Sequence, residues 1–155
     1  MTIHKPPKKV FFTKKDNSVF LAGSIEMGKA EDWQTRFTAM VADIPNIVVL
    51  NPRRDDWDNS WKQSMRNKKF VEQVEWELHG LENADCVVVN FCADTQSPIT
   101  LLELGLLART SQCVFVHCPE GYWKKGNVEV VARKYGLQMV KSLEDAAEKV
   151  KRYFS

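Results

Sequence analysis

The chain is short of several things that would each narrow its function at once. It has 155 residues and only seven glycines, and no glycine-rich phosphate loop: neither the dinucleotide fingerprint nor the Walker pattern occurs. Its four cysteines, Cys86, Cys92, Cys113 and Cys118, form no CxxC pair, so the ligand spacing of the common zinc motifs is missing and reduced, buried thiols are expected. No apolar run approaches membrane-spanning length. The excess of one charge over the other is small as well. A formal net charge of +2 argues against nucleic acid as the main partner. No repeat, low-complexity stretch or internal linker breaks the chain. The two histidines near apolar segments, His79 and His117, have no Ser/Asp partners in sequence that would suggest a hydrolase triad.

What remains is an ordinary soluble composition, 44% hydrophobic and 27% charged, long enough for one domain with a substantial core. Residues 1–17 carry Lys5, Lys8, Lys9, Lys14 and Lys15 around Pro6-Pro7, and read as a basic N-terminal extension, a solvated tail ahead of a domain over 18–155. This segment has neither the apolar core of a secretory signal nor the Arg and Ser of a mitochondrial presequence, so a cytoplasmic location is expected.

From residue 18 onward strand and helix patterns alternate. Val19–Gly23, Ile47–Leu50, Ala84–Phe91, Cys113–Cys118 and Leu137–Val140 read as strands. Helical spacing occupies 31–43, 68–82, the segment from Ser97 to Ala108, 126–135, and a last stretch opened by Ser142 as N-cap and running to about Tyr153. The continuous apolar strand at 84–91 suits a central parallel position covered on both faces. The order βαβαβαβαβα predicts an α/β fold: a single doubly wound, flavodoxin-like, five-stranded parallel sheet with helices on both faces. In the 2-1-3-4-5 order, ligands bind at the switch point between the first and third strands. That geometry brings Gly23-Ser24-Ile25 next to the helix that follows Cys92–Ser97.

That helix holds the most informative residue. Within Ser97–Ala108, Glu103 is the only ionisable side chain. A carboxylate among apolar neighbours is costly without a partner or a task. Ser97 as N-cap and Pro98 at the first helical position place Glu103 in the second turn, where the helix dipole favours its ionised form. A nucleophilic carboxylate must be charged, aimed and poorly hydrated, and Glu103 fits that description. A purely structural acid, paired to a Lys, an Arg or a backbone group, is the competing reading. Around it stand weaker candidates. Gly23 lets a ligand approach the backbone, and Ser24 offers a hydroxyl and an N–H. Arg53 or Arg54 can bind phosphate or pair with an acid, and Trp57 can stack on a base. Glu77 lies on a helix with Glu72, Glu75 and Glu82, most of it solvated face. Asp85 opens the third strand at the end away from the switch point, where a turn or ion-pair role is expected. Asn127 follows Lys124-Lys125-Gly126 after the fourth strand.

Taken together, Val19-Phe20-Leu21-Ala22-Gly23-Ser24-Ile25, Asn51-Pro52-Arg53-Arg54 with Trp57, Trp76-Glu77-Leu78 with Gly80-Leu81, Pro98-Ile99-Thr100-Leu101-Leu102-Glu103-Leu104-Gly105 and Gly126-Asn127-Val128-Glu129 resemble the nucleoside 2-deoxyribosyltransferase-like family over about residues 18–150. The resemblance implies that Glu103 is the nucleophile, that Glu77 assists in place of the family's usual Asp, and that Asn127 orients the nucleophile or sugar, often across a subunit boundary. In the transferases a second acid handles the base. Asp94 is near that position but out of register, and Ser97 holds the matching spacing. Ser24-Ile25 and Ser97 look more like the related deoxynucleoside 5′-monophosphate N-glycosidases, whose small hydroxyl residues bind phosphate. Three readings follow: base exchange between deoxynucleosides, hydrolysis of the N-glycosidic bond of a nucleotide, and a non-catalytic nucleotide sensor. The resemblance implies a nucleoside or nucleotide and a free base as partners, no metal or organic cofactor, no nucleic acid or membrane, and a homodimer or higher homo-oligomer. Trp33, Trp57, Trp61, Trp76 and Trp123 are candidates for its surface.

Overall fold

The computed structural model describes residues 1–155, except for the side chain of Met27. Its sheet consists of β1 (Thr2–His4), β2 (Asn17–Gly23), β3 (Ile47–Leu50), β4 (Cys86–Asn90), β5 (Cys113–His117) and β6 (Gln138–Val140). The strands are ordered β1-β3-β2-β4-β5-β6, and all pairings are parallel. The helices are α1 (Trp33–Met40), α2 (Lys68–Asn83), α3 (Pro98–Leu107), α4 (Lys125–Tyr135) and α5 (Leu143–Tyr153). Strand β4 is buried at every position, as its unbroken apolar run requires when helices cover both faces.

Two apolar clusters sandwich the sheet. One gathers Phe20, Leu50, Val87, Val89 and Val116 under Trp76 and Leu81 of α2, Leu104 and Leu107 of α3, and Val128 of α4. The other gathers Leu21, Val49, Val88 and Phe115 under Trp33 and Phe37 of α1 and Ala146, Ala147 and Val150 of α5. Gly80 is needed for the first layer, because a Cβ there would lie 2.7 Å from the Phe20 ring. The switch point falls at β2, between β3 and β4, with Gly23 opposite Asn90 in register. No helix among the described residues is long and apolar enough to cross a membrane.

Two expectations need correction. The sheet has six strands, not five. The extra strand comes from the N-terminal segment that was expected to be a solvated tail: Thr2, Ile3 and His4 pair with Val48, Val49 and Leu50. The rest of the segment is tied down. The Asn51 N–H donates to the His4 carbonyl at 2.9 Å, the Trp76 indole N–H to the Lys8 carbonyl at 2.8 Å, and Val10 and Phe12 pack against the core. Three residues are too few to show strand alternation, which hides β1 in the sequence. The tryptophans also divide. Trp33 and Trp76 are 1% and 7% exposed and belong to the core, whereas Trp123 is 57% exposed.

Candidate active site

Glu103 lies in the second turn of α3 with 8% of its surface exposed. Its apolar surroundings push its pKa up to about 8, first by desolvation and then by the charge of Glu77. Among the described residues no salt bridge reaches it. The buried polar atoms sealed without a partner are Gln34 Nε2 and Gln73 Oε1, so the Glu103 oxygens are not sealed in.

Glu77 lies on α2, near enough for its charge to be felt at Glu103. Its pKa is pushed up to about 7 by burial, opposed by a hydrogen bond. That bond comes from Gln73 one turn earlier, whose Nε2 donates to Glu77 Oε1 at 2.7 Å and to the Pro52 carbonyl at 3.0 Å. The loop after β3 therefore fixes Gln73, and Gln73 aims Glu77. The charge of Glu77 raises the cost of ionising Glu103. Two buried acids with raised pKa values can supply one ionised oxygen and one acidic proton near neutral pH.

The amino end of α3 is built from hydroxyls. Ser24 Oγ lies 2.9 Å from Thr95 Oγ1 and 2.5 Å from Ser97 Oγ, and the last two are 2.7 Å apart. The Cys92 N–H donates to Ser24 Oγ at 2.9 Å, and Thr95 donates to the Cys92 carbonyl. Ser97 does occupy the N-cap position with Pro98 behind it, but its hydroxyl makes no capping bond. Its φ of 47° and ψ of 53° turn the side chain into this cluster instead. The Ser97 N–H donates to Glu26 Oε1 at 2.6 Å, and Glu26 itself has a φ of 49°.

Other candidates sit apart from the acid pair. Arg53 is spent on the Ala30 and Glu31 carbonyls, Gln34 Oε1 and Asp32. Arg54 is held by Asp56 and Glu72 and lies 5.0 Å from the Trp61 ring centre. Trp57 packs against Trp61 at 5.1 Å and donates to Asn59. The place a side chain would take at Gly23 is filled by the Asn90 backbone at 2.3 Å and the Trp33 ring at 2.6 Å, so packing explains that glycine. The Ile25 carbonyl accepts from Gly28 and Ala30 in the first loop. Asp94 is exposed in the loop before α3, and Asn127 is exposed in the first turn of α4. Asp85 accepts from the Ser18 N–H at 2.9 Å at the opposite end of the sheet, a structural use. A cavity of about 630 Å³ between the N-terminal segment and α2, lined by Phe11, Lys68, Trp76 and His79 among others, includes neither Glu77 nor Glu103.

Sequence reasoning missed Glu26, Gln73 and Thr95. No motif marks them. Only Glu26 carried a signal, as an acid in the loop after the first strand at the switch point.

The fold is an open parallel α/β sheet, with two buried carboxyls on the helices that flank β4. The chain belongs to the family described as nucleoside 2-deoxyribosyltransferase like, whose pattern matches residues 16–122. The match covers Glu26, Glu77 and Glu103 and ends before Asn127. No curated protein matches the sequence. Among solved structures, a conserved protein from Enterococcus faecalis V583 superposes with a TM-score of 0.67 at 12% identity, over 89% of this chain and 99% of that one. At that identity the likeness shows the fold.

Proposed function

We propose that the protein cleaves the N-glycosidic bond of 2′-deoxynucleosides through a covalent deoxyribosyl ester on Glu103 and passes the sugar to another base. The buried Glu77–Glu103 pair carries this reading. Near neutral pH the pair holds about one proton. Positive charge growing at the anomeric carbon draws the negative charge onto Glu103, leaving the proton on Glu77. The bond from C1′ to the base nitrogen breaks as the Glu103 oxygen bonds to C1′. The Glu77 proton goes to the departing base. An incoming base then attacks C1′, returns a proton to Glu77 and frees Glu103, with net retention.

A second copy of the chain fits this mechanism. Ile99, Leu102 and Leu106 form an exposed apolar stripe on the helix that carries Glu103, at 57%, 61% and 47% exposure. If a second copy covers that stripe, the family resemblance suggests its Asn127 as the residue that reaches the sugar. Mixing Asn127→Ala with Glu103→Gln protomers would then restore activity that each lacks alone.

The cluster of Ser24, Thr95 and Ser97 hydroxyls supports a second reading, hydrolysis of a deoxynucleoside 5′-monophosphate. Parallel incubations of deoxyadenosine and of deoxyadenosine 5′-monophosphate with free cytosine decide between them. Deoxycytidine is the expected product. Deoxyribose 5-phosphate from the monophosphate, with deoxyadenosine left intact, would replace transfer with hydrolysis, and no cleavage of either nucleoside or nucleotide would end both readings. A 2′-fluoro-2′-deoxynucleoside should leave a stable sugar adduct on Glu103, read by mass spectrometry of its peptide.

A further inference from the structure

The cysteines divide by place. Cys86 opens β4, Cys113 opens β5, and the two are register partners across that parallel pairing. Both lie on the α1–α5 side of the sheet: Cys86 belongs to that apolar layer and Cys113 packs against it. Cys92 and Cys118 follow the carboxyl ends of the same two strands. Cys92 packs against the α1–α5 layer and Cys118 belongs to the opposite one, so the sheet stands between them. Cys92 is also six residues of extended chain, about 20 Å, from Cys86. Only one pair of thiols in the chain is placed to meet.

That pair can be bridged without refolding. Neighbouring strands run about 4.8 Å apart, inside the range of about 4.4–6.8 Å over which a disulfide joins two Cα atoms. The fit is nonetheless tight. Side chains standing in parallel on adjacent strands keep their Cβ atoms near the strand spacing, wider than the roughly 3.8 Å of a relaxed disulfide. Closing the bond draws β4 and β5 together and stores strain, and a strained disulfide is the easier one to reduce.

The two sulfurs are also unequal. Cys86 is fully buried, whereas Cys113 is partly exposed. The Cys86 thiol donates to the Cys113 sulfur, which lowers the pKa of Cys113; the same contact, with burial, raises that of Cys86. The charge of Asp85 further opposes ionisation of Cys86, and the Tyr153 hydroxyl, at the end of α5, donates to the Asp85 carbonyl at 3.4 Å. The other two thiols have no such help. Burial raises the pKa of Cys92 and pushes that of Cys118 up to about 11.

We propose that Cys86 and Cys113 form a peroxide-sensitive dithiol, with Cys113 as the attacking sulfur and Cys86 as the resolving one. The Cys113 thiolate attacks one peroxide oxygen, the O–O bond breaks, and the departing oxygen takes up the thiol's proton and leaves as water. Cys113 is then a sulfenic acid. Cys86 gives up its proton and its sulfur attacks that of Cys113. The S–S bond forms, the S–O bond breaks, and the oxygen leaves as a second water. Two thiol hydrogens and two electrons pass to one peroxide. A small dithiol reverses the change. The site lies at the end of the sheet away from the switch point, so it stands apart from the proposed glycosidic chemistry.

The test treats the reduced full chain with an equimolar amount of hydrogen peroxide, blocks the remaining thiols with iodoacetamide in denaturant, and maps the digest by mass spectrometry without reduction. One cross-linked peptide pair should join Cys86 to Cys113, two hydrogens lighter than its parts. Cys92 and Cys118 should be recovered alkylated, and dithiothreitol should restore all four thiols. In Cys86→Ser the second step is blocked, so dimedone should tag Cys113. In Cys113→Ser thiol loss should slow by about tenfold or more. The wild-type map needs no variant, so it decides even where a serine in β4 or β5 unfolds the chain. Oxidation that begins at Cys92 or Cys118, a Cys113–Cys113 bond between two chains, a sulfenic acid on Cys113 that never closes onto Cys86, or thiols that survive excess peroxide would overturn the proposal.

Discussion

Arg54 and Glu103 are buried to the same degree, each 8% exposed, yet the fold treats them in opposite ways. Arg54 is fully answered. Asp56 accepts from Nε at 2.7 Å, Glu72 accepts from NH1 at 2.9 Å, and the Trp61 ring covers the guanidinium. Burial works against its charge, and the two carboxylates outweigh that cost, so its pKa is raised. Glu103 is given no cation, only a second acid. A partnered buried charge is a way of holding structure together. An unpartnered one destabilises the folded chain and persists where it has a use.

Glu103→Gln should draw the sharpest line between them. The reaction should fall by more than about a thousandfold, because the amide can neither attack nor hold a negative charge. Stability should move the other way, and only at higher pH. The folded chain keeps a proton on Glu103 up to about pH 8, whereas the unfolded chain releases it near the ordinary value of 4.5. Across that window the folded state binds more protons, so stability falls as pH rises. The variant escapes this loss. Its melting temperature should match the wild type near pH 4.5 and exceed it at pH 8.5, with a gain on the order of 4 kcal/mol. A variant that is less stable at pH 8.5 would mean that Glu103 has a structural partner after all.

Glu77→Gln removes the acid and leaves the nucleophile. A loss of about a hundredfold is expected for ordinary nucleosides, with less for those whose base departs without protonation. The wild type should show a bell-shaped pH profile with limbs near 7 and 8, which belong to the pair as a whole. In Glu77→Gln the limb that reports loss of the acid should vanish. Gln73→Met acts one step further out. It removes the hydrogen bond that favours ionised Glu77, so the pKa of Glu77 should rise and the acidic limb move up, with kcat down severalfold. A uniform loss of rate at every pH would reduce Gln73 to packing.

How much of this was visible beforehand follows physical range. Strand β3 matches Ile47–Leu50 residue for residue, and α2 and α5 were bounded within a residue or so, because periodicity and caps are local. Ser142 accepts from the Asp145 N–H as a capping serine should. Helix α1 is shorter than the expected 31–43: Asp32 caps it at the start, and it ends at Met40 ahead of a turn that leads to Pro45. Glu103 stands out because an acid in apolar company is a local anomaly, whereas Glu77 sits among other acids and is marked only by the family resemblance. Glu26, Thr95 and Gln73 do not stand out, since what places each is a bond to a residue 71, 71 or 21 positions away, at Ser97, Ser24 and Pro52. At Ser97 the capping rule placed the residue correctly and its hydroxyl wrongly. Tertiary bonds to Ser24 and Thr95 outbid the local cap.

The smallest expected effect comes from the partnered charge. Both carboxylates that hold Arg54 are themselves well exposed, at 63% and 51% of their side-chain surface. When Arg54→Met removes the guanidinium, Asp56 and Glu72 return to water instead of being stranded, so the usual penalty for orphaning a buried charge does not apply. Methionine keeps most of the packing against Trp61 that the Arg stem provides. Stability should therefore stay within about 1 kcal/mol of the wild type, and kcat/KM within about threefold, whereas Arg54→Ala loses the stem as well and should cost about 1–2 kcal/mol. Denaturant melts and kinetics on the same preparations measure both. If Arg54→Met instead lost activity by tenfold or more while remaining folded, Arg54 would belong with Glu103 in the chemistry, and the contrast between the two buried charges would fail.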